Sequence, residues 1–294
     1  MTGRDGSPGH NWKICRDAVL LRPLCVGSGT TGRSKSAPLR NSAVNTRKIA
    51  ANSGVFPSLG KTPVNFFQGL EKTTDSVSKV WKTLAAIPPP GGNYGVEIWL
   101  ADLATLAPEE DLLSSLLNDT EHEEIHRLHH ACDRQKMVLR RGVRRVVLGR
   151  YLACPPELLR FERAEHGKPR VPGISFSASS SHQTMLLVVA RGAEVGADIE
   201  DASAFQFAPA LAGTCCSRAE RDRITALPEA YRAAEFLRLW TAKEAVLKLR
   251  GIGFREQMDL PGLLEKLRAG ERVVELPLAP PLVASLAVAP LTPA

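Results

Sequence analysis

Val195-Gly196-Ala197-Asp198-Ile199-Glu200 is the stretch from which the rest of the chain is best read. Its alternation predicts a β-strand, in which side chains two apart share a face. Asp198 and Glu200 then stand together while Ile199 enters the core on the other side. Two adjacent carboxylates suit Mg²⁺, a hard cation that keeps several waters and takes phosphate oxygens as further ligands. Taken alone, such a pair is more often the solvated end of an ordinary strand.

Toward the C-terminus, Pro228 to Leu249 contains no internal Gly or Pro and stops before Gly251, so it predicts a long helix with a left-handed cap. Within it, Trp240-Thr241-Ala242-Lys243-Glu244-Ala245-Val246-Leu247-Lys248 puts Trp240, Glu244 and Lys248 on one face. A Glu–Lys pair at this spacing is common on helix surfaces and contributes only tenths of a kcal/mol. Leu282 to Ala289 alternates as a closing strand.

Toward the N-terminus, Met185 to Ala190 reads as a strand. Before it, a turn at Gly167-Lys168-Pro169 is followed by Ser175-Phe176-Ser177-Ala178-Ser179-Ser180-Ser181-His182, read as a serine-rich turn. Backbone donors and a nearby Lys can hold phosphate oxygens there. Asp133 to Leu152 is an amphipathic helix studded with arginines, Val96 to Leu100 a strand, and Pro108 with its following acids opens a helix. Strands and helices in two successive halves give an α/β or α+β architecture. Residues 1–93 carry little apolar periodicity and read as a basic, low-order extension, with one helix expected from Pro63 to Leu84, capped by Thr62. The expected organisation is 1–93 extension, 94–192 first half and 193–294 second half.

With 294 residues and 44% hydrophobic content, the chain can bury a core without covalent staples. The net charge of +7 is unevenly spread: residues 1–95 hold thirteen Lys and Arg against four acids, leaving 25 against 27 beyond them. The folded part is nearly neutral, which argues against a nucleic-acid-binding domain. The extension alone is basic enough to act as a tether to nucleic acid or an anionic membrane. No C-x-x-C pair occurs among the six cysteines, which disfavours zinc and a disulfide framework. The closing uncharged stretch holds too many prolines for a spanning helix. Without a secretory leader pattern, the cytoplasm is the expected location. Phosphate-loop, dinucleotide and nucleophile-elbow motifs are absent, so nucleotide hydrolase, dinucleotide oxidoreductase and serine hydrolase readings fall back.

The order Gly-Lys-Pro, Phe-x-x-Ser, strand, Gly-x-Asp-x-Glu, Trp-x-x-Lys-Glu-Ala-x-x-Lys resembles the 4′-phosphopantetheinyl transferase superfamily over roughly residues 96–289. Length favours its Sfp-type branch, in which two similar α/β halves form a pseudo-dimer within one chain, so a monomer is expected. The resemblance implies transfer of the 4′-phosphopantetheine arm of coenzyme A to a serine of an apo acyl- or peptidyl-carrier protein, releasing 3′,5′-ADP. It assigns Asp198, Glu200 and Glu244 to Mg²⁺, Glu244 also to proton removal from the carrier serine, and Lys248 to phosphate. It places Arg141, Lys168, Ser179 and Ser180 at the coenzyme. One departure stands out: the family turn reads Phe-Asn-x-Ser-His-Ser, so Ser180 occupies the histidine position and His182 lies two residues beyond. A carrier-binding homologue with impaired catalysis is therefore the alternative.

Overall fold

The structure, a computed structural model, describes residues 71–90, 95–164, 166–203, 205, 207–252 and 260–291. Residues 1–70 of the expected extension, with the Thr62 cap and the start of its helix, lie outside the described residues. The elements are α1 (Glu71–Thr83), β1 (Ala85–Ile87), β2 (Val96–Asp102), α2 (Leu103–Leu106), α3 (Glu110–Ser115), α4 (Asp119–His126) and α5 (Ala131–Leu152). They continue as β3 (Glu162–Arg163), β4 (Pro169–Arg170), β5 (Ser175–Ser181), β6 (Thr184–Ala190) and β7 (Ala193–Asp201). The chain then forms α6 (Pro209–Cys215), α7 (Arg218–Ala226), α8 (Glu229–Arg250), β8 (Arg272–Glu275) and β9 (Leu282–Pro290).

Two antiparallel sheets result, ordered β1-β2-β6-β5 and β7-β9-β8, with β3 and β4 forming a separate hairpin. Strands β2, β6 and β5 of the first sheet match β7, β9 and β8 of the second in both chain order and spatial order. The unbroken apolar run of β6 is explained by burial on both faces. Leu186 and Val188 meet Val195, Ala197, Ile199 and Leu286 between the sheets. Met185, Leu187 and Val189 meet Leu139, Val143 and Val146 of α5 on the outer side. Helix α8 covers the second sheet, with Phe236, Leu247 and Leu249 in one cluster with Val283 and Ala287 of β9.

The repetition reaches individual side chains. Helix α4 starts with a capping box between Asn118 and Glu121, and α7 with one between Ser217 and Glu220. Each box places a glutamate at the third helical position, and each glutamate meets a buried cation on the following 22-residue helix. Glu121 binds Arg145, 2.8 Å from its Nε, and Glu220 binds Lys243 at 2.7 Å. Arg145 and Lys243 are both the fifteenth residue of their helices. Both helices end on left-handed residues, Ala153 at φ 49° and Gly251 at φ 66°; Gly251 is the expected cap.

Two expectations change. The segment from Ser175 to Ser181 is a strand, not a turn, and only His182 and Gln183 turn the chain into β6. Its apolar residues Phe176 and Ala178 pack on the first core while the alternating serines find partners on β7. The folded part also begins before residue 94. Ala85–Ile87 pair with Ile98–Leu100, Trp81 meets Trp99 edge-on, and the Arg150 guanidinium lies over the Trp81 ring.

Candidate active site

Strands β5 and β7 are the edge strands at which the two sheets meet. An open strand edge leaves backbone N–H groups that need partners. Here the side chains of β5 supply them. The amides of Val195, Ala197 and Asp201 donate to the hydroxyls of Ser175, Ser177 and Ser181 at 3.2, 2.9 and 3.0 Å. The hydroxyls of Ser175, Ser179 and Ser181 donate in turn to the carboxylates of Glu194, Asp198 and Glu200 at 2.9, 2.6 and 2.8 Å. Serine at every second position of β5 thus seals the seam and orients the acids of β7.

The same face of β7 lies against α8. At Gly196 a Cβ would overlap the Ala245 carbonyl oxygen and the Leu249 amide, so the glycine of Gly-x-Asp-x-Glu is what lets the helix sit on the strand. This close approach brings Lys248 to Asp198. Its ammonium donates to Asp198 Oδ1 at 2.5 Å and to Ser179 Oγ at 2.9 Å. Asp198 is 4% exposed, and its Oδ2 is buried with no hydrogen-bond partner among the described residues. A buried carboxylate oxygen without a donor is costly, and a cation satisfies it. That single oxygen is suited to a hard cation such as Mg²⁺. Glu200 lies two residues along the strand, and Glu244 one turn before Lys248 on α8. Among the described residues no group of three Asp, Glu, His or Cys side chains is close enough to hold a metal ion. The structure thus gathers Asp198, Ser179 and Lys248, while Glu200 and Glu244 stand nearby without completing a ligand set.

Arginines of α5 form the neighbouring wall. Arg141 donates to Glu124 at 2.5 Å and to the Glu121 carbonyl at 3.2 Å, and hydrogen bonding from Arg141 holds the Glu124 carboxyl below its usual range. Arg163 also pairs with Glu124. A cleft of ≈ 340 Å³ is lined by Arg140, Arg141, Arg144, Ser179 and Ser180 with two methionines. Arg141, Ser179 and Ser180 are therefore brought to one cleft. His182 sits in the hairpin turn at φ 50° and is not among the residues lining this cleft.

Lys168 is placed elsewhere. It donates to the Val195 carbonyl at 3.0 Å and lines a second cleft with Ser175 and Glu194. Burial pushes its ammonium down to about 8, against the attraction of Glu194. Ser175, Ser177 and Ser181 join the site without having been expected there, and their period of two, which matches a strand, is the signal for them. Arg140 and Arg144 also line the cleft, and their spacing on the arginine-studded helix matches a solvated face equally well.

Residues 194–275, from β7 to the end of β8, match the sequence profile of the 4′-phosphopantetheinyl transferase superfamily. That stretch carries both Gly-x-Asp-x-Glu and the Trp240–Lys248 motif, so in this segment the chain is similar to that superfamily. The chain is 28% identical over 173 residues to the 4′-phosphopantetheinyl transferase HetI of Nostoc sp., covering 56% of this chain and 72% of that protein. It is 33% identical over 174 residues to the L-aminoadipate-semialdehyde dehydrogenase-phosphopantetheinyl transferase of Eremothecium gossypii, covering 52% of this chain and 63% of that one. Against the 4′-phosphopantetheinyl transferase psf-1 of Bacillus pumilus it is 30% identical over 130 residues, covering 43% and 54%. For the latter two, the aligned part spans less than two thirds of the relative. No described helix is long and apolar enough to cross a membrane.

Proposed function

We propose that this protein moves the 4′-phosphopantetheine arm of coenzyme A to a serine of an apo acyl- or peptidyl-carrier protein, as a single-chain, Sfp-type transferase working as a monomer. The observation that carries the reading is Asp198: a buried carboxylate with one oxygen bound by Lys248 and Ser179 and the other without a donor, where β5, β7 and α8 meet. Asp198, Glu200 and Glu244 would hold Mg²⁺, which when bound offsets charge on the coenzyme's pyrophosphate.

In the transfer the carrier serine oxygen forms a bond to the phosphorus nearer the pantetheine, and the bond from that phosphorus to the bridging oxygen breaks. The bridging oxygen leaves on 3′,5′-ADP. Glu244 takes the serine proton, directly or through a water. Lys248, already aimed at the seam, neutralises the leaving phosphate. Ser179 and Arg141 hold the coenzyme from the β5 and α5 sides.

The test is the intact mass of apo acyl- and peptidyl-carrier proteins incubated with the full chain, coenzyme A and Mg²⁺. A phosphopantetheine-sized gain abolished by EDTA supports the reading and shows which carrier class is preferred. Coenzyme binding without any mass gain on either carrier would favour the catalytically impaired, carrier-binding alternative that Ser180 raises.

A further inference from the structure

Ser180 replaces a large cationic-capable ring by a small hydroxyl, and the space beside it is the ≈ 340 Å³ cleft between β5 and α5. Three of the eight residues lining this cleft are arginines, Arg140, Arg141 and Arg144, and none is an acid. Glu121 and Glu124 line an adjoining cleft, which shares Arg141 and Arg144 with the first.

The two shared arginines are not equivalent. Arg141 spends its terminal nitrogens on Glu124 and the Glu121 carbonyl. Arg144 reaches Glu121 through one terminal nitrogen at 3.0 Å, stacks over Phe161 at 4.4 Å, and keeps a buried Nε with no hydrogen-bond partner among the described residues. Glu121 is itself divided between Arg144 and Arg145. Burial pushes the Arg144 guanidinium down to about 10, with Arg141 and Arg145 adding repulsion against the attraction of Glu121. A partly buried cation cluster with more arginines than carboxylates is stabilised by an anion, and guanidinium groups match phosphate oxygens in pairs.

Resting on the transfer reading above, we propose that Arg144, with Arg140 beside it, forms a phosphate-binding wall for the coenzyme that stands in for the histidine absent at Ser180. The chain replaces a contact from the strand by one from the facing helix. The contact is then made by a group that stays charged across the physiological range.

The experiment is calorimetric titration of the full-length protein with coenzyme A, without carrier. Arg144→Gln weakens binding by about tenfold or more, as expected for loss of a charge-assisted contact. Arg140→Gln, which leaves the Glu121 pairs intact, weakens it by about threefold or more. Adding Ser180→His to Arg144→Gln restores most of the affinity. Repeating the series with dephospho-coenzyme A locates the contact. A loss that vanishes puts Arg144 at the 3′-phosphate, a loss that persists puts it at the pyrophosphate, and both support the wall. If the glutamine variants, folded by thermal melting, bind coenzyme A within about twofold of wild type, the proposal is overturned. Should Arg144→Gln fail to fold, Arg140→Gln decides alone by the same threshold. Wild-type protein that binds no coenzyme A would instead overturn the transfer reading on which the wall rests.

Discussion

Asp198 is the residue on which site and fold depend together. Its backbone pairs with Ser285 of β9, while its side chain collects a serine from the other sheet and a lysine from α8. Asp198→Ala and Glu244→Ala are expected to lower Mg²⁺-dependent transfer by orders of magnitude, read as the rate of mass gain on a carrier protein. A near-normal rate in either variant would remove that residue from the metal set. Lys168 offers a separate test through pH. Its folded value of about 8 lies below the ordinary lysine value of 10.5, because burial disfavours the charged form. Between those values the unfolded chain binds the proton and the folded one does not, so stability rises with pH across that window. In parallel urea denaturations, wild type should therefore gain stability relative to Lys168→Met as pH rises from about 7 to about 10. An unchanged difference would show that the ammonium is not desolvated.

At the scale of elements, each long helix carries a buried ion pair to the capping-box glutamate of the helix before it. Lys243 is 2% exposed and donates to both Glu220 and the Cys215 carbonyl. Removing it leaves Glu220 buried beside its own capping box. Lys243→Met is expected to cost about 3–5 kcal/mol in urea denaturation, since breaking one side of a buried pair strands the other charge. Adding Glu220→Gln should recover part of that loss, because the stranded charge goes with it. The helix–strand pair α8–β7 was legible in outline from the alternation at 195–200 and the unbroken helical run ending at Gly251. The serine strand was masked by its composition, although its serines alternate with the period of a strand. Ser175 to Ser181 has turn composition, and its ladder with β6 and the hydroxyl bonds to the edge of β7 hold it extended.

At the scale of the whole molecule, the two sheets share one core and are stitched at one edge, so neither half carries the candidate site alone. The N-terminal boundary is part of this assembly. Truncation of residues 1–93 removes β1 and the Trp81 contact with Trp99 and Arg150, whereas truncation of 1–70 retains them. The longer deletion should melt several degrees below the shorter one, because burial of Trp81 and the β1 ladder are lost. Equal melting temperatures would mean that these contacts add nothing to stability. Activity of the shorter truncation, compared with the full chain, tests whether the basic residues before position 71 act as a tether.

The sequence by itself determined the two long helices, the strands β6, β7 and β9 and the mixed α/β architecture. Those features rest on local periodicity and on residue types with one structural role: alternation for strands, Gly251 for a helix end. Tertiary structure alone decided that Ser175–Ser181 is a strand, that residues 77–87 belong to the fold, and that Lys248 rests on Asp198. It also decided that Arg144 faces the cleft at Ser180 and that Lys168 lies in a different one. Each of these depends on which edge, helix face or buried charge a residue meets across the chain, and no local pattern carries that information.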